Sequence, residues 1–309
     1  MVDVYIITDA VVTSSLLALL TIGLSLTYLT TRVPNFAHGT FASVGIYVGV
    51  VVTEVMGLNV YLGLIPGFFV GALVAVAQYL LFLRPMTRRN ANVTTLMVAT
   101  VAFDIFLIAI LNIFADYLSN AFHVEARYFQ FFSLDFTLFG IKGLVFVAPI
   151  LVVGVVVGLY LLLNRTKFGI AMRATIENPP LAGTIGINTD MVYIASWFLA
   201  GGIAGLAGSV IPLWYIGNTN VGSDFFLISI FAAAVVGGVY SINGAILGGL
   251  IIGLAQSVII DVLALYIGAW IIPYQPIIPL IAMIVTLLLA PNGITGINYS
   301  GLKKKLRRN

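Results

Sequence analysis

The sequence predicts an all-α integral membrane protein: a polytopic bundle of about nine membrane-spanning helices, within a range of eight to ten. Of its 309 residues, 61% are hydrophobic and only 8% are charged, whereas a soluble domain carries about 25% charged residues. A surface with so few charges must face lipid over most of its area. No linker or low-complexity tract divides the chain, so residues 1–309 are expected to form a single transmembrane domain.

Nine apolar stretches approach the roughly 20 residues that cross a bilayer. The seventh and ninth have only about 15 residues, so each is expected to be a half-helix, a re-entrant segment or a tilted span enclosed by its neighbours. The first is expected to be retained, because Met1–Ala10 contains no basic residue and so does not resemble a secretory leader. The nine stretches are Ile6–Leu29, His38–Met56, Tyr61–Leu83, Val93–Phe114, Ile141–Leu163, Met191–Ile211, Phe225–Val239, Ala245–Leu265 and Pro276–Ala290.

The basic residues predict the orientation of these spans. With nine spans, twelve of the 14 Lys and Arg residues fall on one side, and only Arg127 and Lys142 fall on the other. Because basic loops stay in the cytoplasm, the N-terminus is predicted outside and the C-terminus inside. The twelve are Arg32, Arg84, Arg88, Arg89, Arg165, Lys167, Arg173, Lys303, Lys304, Lys305, Arg307 and Arg308.

Two long loops follow from this orientation. Residues 116–140 form the predicted extracytoplasmic loop, which is rich in Tyr and Phe. This loop is either an interfacial aromatic belt or a rim that receives an external partner. Residues 164–190 form the predicted cytoplasmic loop.

Glycines at a spacing of four predict close helix contacts, because small residues let two backbones approach. The densest run is Gly201, Gly202, Gly205 and Gly208. The other pairs are Gly45/Gly49, Gly67/Gly71, Gly154/Gly158, Gly244/Gly248 and Gly249/Gly253.

Several function classes are excluded or disfavoured by what the sequence lacks. It has no cysteine and only two histidines, His38 and His123, so thiolate chemistry is excluded and a metal site is not expected. It has no Gly-Lys dipeptide, so the phosphate-binding loop of ATPases is absent. No hydrolase or protease motif is present, and we expect neither enzymatic activity nor a cofactor. If the protein pumps a solute, a partner or an ion gradient must supply the energy.

A short helix is predicted in the cytoplasmic loop between Glu177 and Gly186. Asn178 suits the N-cap, Pro179 suits the first helical position, and Gly186 suits the residue after the end. Such a helix is only about 10 Å long. It is either a peg that docks into a cytoplasmic partner or a plain interfacial connector.

Asp104 is the acidic residue expected near the middle of a span. An ionised carboxylate there costs roughly 2.5–3.5 kcal/mol, so it should face protein or water. It is either a polar point on a solute path or subunit interface, or a hydrogen-bonded structural residue. One such carboxylate is weak support for an ion-coupled carrier.

Five stretches, in order along residues 33–296, resemble the permeases of branched-chain amino-acid ABC transporters of the LivH/LivM type, and the LivH half more closely. Pro179-Pro180 and Val33-Pro34 depart from the usual pattern of that family. The stretches are Val33 to Gly39 with Gly45-Ile46-Tyr47, Arg84-Pro85-Met86 with Thr94-Thr95-Leu96, Thr166 to Gly169 through Arg173-Ala174 to Gly186-Ile187-Asn188, Gly237-Gly238 with Asn243 to Gly249, and Leu289 to Gly296.

The resemblance implies a multi-pass protein of the cytoplasmic membrane that imports leucine, isoleucine or valine. It implies a second, LivM-like permease chain, two cytoplasmic ATPase subunits and an extracytoplasmic binding protein as partners, with no nucleic acid. It also implies that the loop around Glu177–Gly186 is the ATPase-coupling helix. The coupling residues would be Glu177, Asn178, Pro179, Leu181, Gly183, Ile185 and Gly186.

A zwitterion with an apolar side chain needs a few polar groups along its path. His38 is expected to be a structural cap rather than a gate or a substrate contact. The candidates for the path are Asn35, His38, Thr94, Thr95, Asp104 and Asn112.

Three alternatives stay open. The chain could be a permease for urea or a short amide, a stand-alone secondary carrier or channel, or a structural membrane subunit. Transport assays that place leucine in competition with urea separate the first from the main prediction. Solute movement in liposomes without an ATPase would indicate the second.

Overall fold

A computed structural model describes residues 2–296, with side chains from residue 4 onward. The basic cluster from Lys303 to Arg308, which contributes to the predicted orientation, lies outside these residues. The described chain is almost entirely helical, and one two-stranded antiparallel hairpin, β1 (Thr137–Leu138) with β2 (Ile141–Lys142), completes it.

The helices follow the chain in order. They are α1 (Val2–Thr31), α2 (His38–Val50), α3 (Leu64–Gln78), α4 (Arg84–Arg88), α5 (Val93–Phe122), α6 (Leu144–Arg165), α7 (Lys167–Glu177), α8 (Pro179–Thr184), α9 (Thr189–Val210), α10 (Leu227–Gly237), α11 (Ile242–Ile267) and α12 (Ile277–Leu289). Three π-helical turns adjoin them, at Val51–Val55 after α2, at Tyr79–Leu83 after α3 and at Gly222–Phe226 before α10.

Within residues 2–296, eight helical segments are long and apolar enough to cross a membrane. This confirms the predicted polytopic helical bundle and lies within the expected range of spans. The seventh predicted stretch, Phe225–Val239, corresponds to a shorter apolar helix, Gly222–Gly237, which is formed by a π-helical turn and α10. Its inner residues are mostly buried, as expected for a short segment enclosed by neighbours.

The first span is the core of the bundle. In its most apolar window 94% of the residues are buried, against 11% in the last span. Helices α6, α9, α10 and α11 all pack against it. Several of its buried hydroxyls are satisfied within the helix, since Thr21 Oγ1 donates to the Leu17 carbonyl at 2.6 Å and Thr27 Oγ1 to the Leu24 carbonyl at 2.8 Å. Ser25 Oγ is buried without a hydrogen-bond partner among the described residues.

Close glycine contacts join the core helices, as the spacing predicts. A Cβ added to Gly205 of α9 would lie 2.2 Å from the carbonyl oxygen of Gly67 on α3, and one added to Gly45 of α2 would lie 2.0 Å from the Gly205 carbonyl. The exception is Gly154/Gly158 on α6, where no atom lies within 4 Å of the added carbon. Their expected contact is absent, because α6 presents that face to the outside of this chain.

Two predicted loops contain more helix than expected. Helix α5 continues to Phe122, because Ala115 and Leu118 extend its buried stripe, so the segment predicted to be extracytoplasmic begins seven residues later than expected. The segment predicted to be cytoplasmic contains α7, which Thr166 caps by accepting from the Gly169 amide at 3.1 Å. The two loops are therefore shorter and more rigid than their length in the sequence indicates.

Candidate functional site

Asp104 of α5 joins three elements of the bundle. Its Oδ1 accepts hydrogen bonds from Thr40 Oγ1 of α2 and, at 2.9 Å, from Ser223 Oγ. The two hydroxyls are 2.6 Å apart. Ser223 lies in a π-helical turn, a local irregularity often found at functional sites. The carboxylate therefore faces protein, as predicted.

Asn112 lies two turns further along α5, about 12 Å from Asp104. It lines a polar cavity of about 240 Å³ with Arg127 and the loop residues Asn218, Thr219 and Asn220. Its side chain is held at both ends, because Nδ2 donates to the Ile108 carbonyl at 2.9 Å and Oδ1 accepts from Thr219 Oγ1 at 3.2 Å. Among the predicted path residues, Asn112 is thus placed at a cavity.

Asn35 and His38 are completely enclosed. Asn35 Oδ1 accepts from Gln78 Nε2 at 3.1 Å, and His38 Nε2 lies 2.9 Å from the Leu20 carbonyl, to which it donates. The imidazole fits beside Gly23 of α1, where an added Cβ would be 2.8 Å from the ring. Any contact of these two side chains with a solute stays a prediction.

Thr94 and Thr95 lie at the exposed start of α5. Thr95 donates from both its backbone nitrogen and its Oγ1 to Asn92 Oδ1, at 2.8 Å each. Asn92 is therefore the N-cap of α5, and Thr95 completes that cap. Ten residues separate Thr94 from Asp104, about 15 Å along the helix, so the structure does not bring the two groups together.

The segment Glu177–Gly186 has the predicted local structure. Asn178 Oδ1 accepts from the Leu181 amide at 3.1 Å, α8 begins at Pro179, and Gly186 adopts a φ of +88°. Glu177 is the last residue of α7, so the two short helices meet at Asn178.

Helix α8 has a buried face and an exposed apolar face. Ala182 is buried, Leu181 is 59% exposed and Ile185, the residue after the helix, is 69% exposed. Gly183 has open space around it. Near this segment, Arg84 and Arg88 both pair with Asp190, at 2.7 and 2.8 Å, which fixes the start of α9. The exposed side chains of Leu181 and Ile185 thus form an apolar surface close to a helix start that two ion pairs hold in place.

Asp9 falls inside the predicted first span, Ile6–Leu29, but it is not among the site residues that the sequence predicts. Asp9 lies within α1 and is only 6% exposed. Its carboxylate accepts from Trp214 Nε1 at 2.5 Å and from Ser257 Oγ. The available sequence signal was the pairing of an acid with a hydroxyl residue at helical spacing, Asp9 with Thr13 and Ser257 with Asp261.

Asp9 lines a cavity of about 650 Å³, which we call the outer cavity. The walls come from the start of α1, the segment after α9, the end of α11 and the turn before α12. Under the predicted orientation this is the extracytoplasmic end. Tyr128, Asn218 and Asp224 line both this cavity and the polar one beside Asn112, so the two adjoin.

The segment between α5 and β1, residues 123–136, packs over this region. Phe129 and Gly217 exchange two backbone hydrogen bonds, at 3.2 and 2.7 Å. Phe129 and Phe131 are buried, whereas Tyr128 and Phe139 are 68% and 91% exposed. The aromatic loop thus both packs on the bundle and presents rings at its rim.

Comparison with known proteins gives a consistent result. Residues 6–290 match the family described as the permease component of the branched-chain amino acid transport system. The probable branched-chain amino acid transport permease protein LivH of Methanocaldococcus jannaschii is 46% identical over 301 residues, which cover 97% of this chain and 95% of that protein. The high-affinity branched-chain amino acid permease LivH of Escherichia coli is 27% identical over 93% of this chain and 94% of that protein.

One solved structure has a similar fold. PsaBC from Streptococcus pneumoniae, in complex with Fab, matches with a TM-score of 0.52 over 93% of this chain and 92% of that one. At 13% identity this likeness concerns the fold alone.

Proposed function

We propose that this chain, which belongs to the family of branched-chain amino acid transport permeases, uses α8 to receive mechanical work from ATPases and passes leucine, isoleucine or valine through the bundle. The chain is a multi-pass permease subunit of an importer and not itself an enzyme. The observation that carries the proposal is the family match over residues 6–290. Membership of this family implies ATPase and binding-protein partners.

The energy source must be external to this chain. The sequence lacks the phosphate-binding loop, so the partner ATPases bind and split the nucleotide. We infer that they engage the exposed apolar residues Leu181 and Ile185, since exposed apolar groups on a short rigid helix are suited to a groove in a partner. Closure of the ATPases then pushes α8, and α7 and α9 on either side of it transmit the displacement to the bundle.

A second permease chain of the LivM type is the further partner we propose. The resemblance to the LivH half supports it, because that half works beside a different companion. The solute path would then run past Asn112 and Asp104, with the binding protein delivering the amino acid to the outer cavity. The solute path has four further candidate residues, Asn35, His38, Thr94 and Thr95. They would line it in a different conformation of the transporter.

Co-purification tests the coupling proposal. The chain is expressed with its cognate ATPases and companion permease, solubilised and captured by a tag on this chain. Leu181→Glu and Ile185→Glu should each reduce the ATPase that is retained by at least tenfold, because they place a charge in an apolar contact. Ile185→Val is the matched control and should retain the ATPase.

Uptake by the complete transporter tests the substrate. Labelled leucine should enter in an ATP-dependent manner, and excess unlabelled isoleucine or valine, but not urea, should compete. In the co-purification, retention of the ATPase by both Leu181→Glu and Ile185→Glu would overturn the role of α8. Uptake of urea without uptake of leucine would overturn the substrate assignment.

A further inference from the structure

The wall of the outer cavity of about 650 Å³ carries negative charge, and the proposed function does not explain it. Three carboxylates line it, from Asp9, Asp224 and Asp261, and no lysine, arginine or histidine is among the described residues of its wall. Cavities of this size are typical of small-molecule sites. The imbalance predicts a ligand with a positive charge.

The carboxylate of Asp261 is not fully hydrogen-bonded. Its Oδ2 is buried and has no hydrogen-bond partner within residues 2–296. It lies one helical turn after Ser257, whose hydroxyl binds Asp9, so the two carboxylates are close across the α1–α11 contact. Two carboxylates in a partly enclosed space repel each other, and a cation between them relieves that repulsion.

Gln275 gives an independent indication of a ligand. It lines the cavity and is only 5% exposed, yet its side-chain amide has no hydrogen-bond partner in the described part of the chain. An amide side chain with no protein partner can hydrogen-bond a ligand in the cavity that it lines. Its carbonyl oxygen is available to a donor, and its NH₂ group is available to an acceptor.

Aromatic rings form much of the remaining wall. Trp214 and Tyr215 face the cavity together with Phe225, and the Tyr215 and Phe225 centroids are 5.3 Å apart. Ring faces attract organic cations and also cover apolar side chains. A metal ion is disfavoured, because no three His, Cys, Asp or Glu residues among those described are arranged to hold one.

We propose that this cavity binds the primary ammonium group of the transported amino acid, with Asp9 and Asp261 as its counter-charges and Gln275 as a further hydrogen-bonding group. The apolar side chain of the ligand lies against the aromatic wall. This assignment rests on the proposed function and adds to it the residues that recognise one end of the solute.

A matched pair of probes separates the two ends of leucine. Isoamylamine keeps the side chain and the ammonium group but lacks the carboxylate, whereas 4-methylpentanoate keeps the side chain and the carboxylate but lacks the ammonium. Saturation-transfer NMR on the full chain in lipid nanodiscs should detect isoamylamine and its displacement by leucine. It should detect little 4-methylpentanoate.

Variants then locate the site. Asp261→Asn should weaken isoamylamine about tenfold, the loss expected for one charge-assisted hydrogen bond, and Gln275→Leu should weaken it less. Glu54→Gln is the control, because Glu54 is exposed outside the cavity at the predicted outer end of the second span. Melting curves without ligand establish that each variant is folded, and Gln275→Leu decides the matter if Asp261→Asn does not fold.

Equal binding of the two probes, or unchanged affinity in folded variants, would overturn the assignment. Leucine uptake by the complete transporter is measured separately. Normal uptake with no isoamylamine binding defeats only the cavity assignment, whereas wild-type transporter that imports no branched-chain amino acid defeats the proposed function.

Discussion

Trp214 Nε1 donates a hydrogen bond to Asp9 Oδ1 at 2.5 Å and so links the start of α1 to the segment that follows α9. The acceptor is a carboxylate that is 94% enclosed by protein, and its other oxygen accepts from Ser257 Oγ of α11. Three parts of the chain, far apart in sequence, thus converge on one acidic side chain.

Trp214→Phe should therefore destabilise the protein by about 1–3 kcal/mol, because it keeps the ring but removes a donor to a buried charge. The measurement is chemical unfolding in detergent micelles. Trp270→Phe is the matched control, since Trp270 is 63% exposed and its donor reaches only the Ile267 carbonyl. It should change stability by less than about 0.5 kcal/mol. Equal losses in the two variants would contradict the importance of the Asp9 contact.

Asp104 is expected to act as an acceptor that holds α2 and the π-helical turn, and not through its charge. Asp104→Asn keeps a carbonyl oxygen for Thr40 and Ser223 and should leave leucine uptake by the complete transporter within about twofold, a change of less than 0.5 kcal/mol. Asp104→Leu removes both hydrogen bonds and should cost about 1–3 kcal/mol of stability. A folded Asn variant that takes up no leucine would show instead that the carboxylate charge itself is required.

Gly205→Ala tests the contact between α3 and α9. The added methyl would lie 2.2 Å from the Gly67 carbonyl oxygen, a backbone atom that cannot move alone, so we expect a loss of about 1–3 kcal/mol or more. Gly158→Ala on α6 meets open space and should be neutral or stabilising, because alanine is the better helix former by about 1 kcal/mol. Thermal unfolding of the two variants side by side gives the comparison, and a loss of equal size at Gly158 would contradict it.

The predicted orientation can be tested directly because the chain has no cysteine. Gly183→Cys on α8 and Phe139→Cys at the exposed hairpin turn each introduce a single thiol in an open position. In intact cells a membrane-impermeant maleimide should label only Cys at position 139, and position 183 should react only after the membrane is opened. The reverse labelling pattern would show that α8 lies outside the cell and that the N-terminus lies in the cytoplasm.

The features that could be predicted from the sequence are the local ones. The cap at Asn178 depends on an amide three residues away, and each span depends on its own apolar length, so both are readable from a short window. The partners of Asp9 are not readable in this way, because Trp214 and Ser257 lie 205 and 248 residues further along the chain. Asp9 falls inside the predicted first span, yet nothing near it in the sequence indicates which groups would enclose its carboxylate.

Helix ends were missed for a similar reason. Asp116 made the end of α5 look like the start of a loop, yet Ala115 and Leu118 pack inward and Asp116 pairs with Arg127 at 2.7 Å. Likewise, the spacing of Gly154 and Gly158 equals that of glycines in real contacts. Which of two equal patterns finds a neighbour depends on where the helix lies in the bundle, and that is a property of the whole fold.

The burial of α1 has a consequence for biogenesis. This segment leaves the ribosome long before α11, yet Ser257 of α11 supplies one of the hydrogen bonds to its carboxylate. Until then the nascent first helix holds an incompletely paired acid at the edge of the membrane. Chains that terminate before α11 therefore carry a persistent defect in α1, and cellular quality control should remove them faster than chains that terminate after α11.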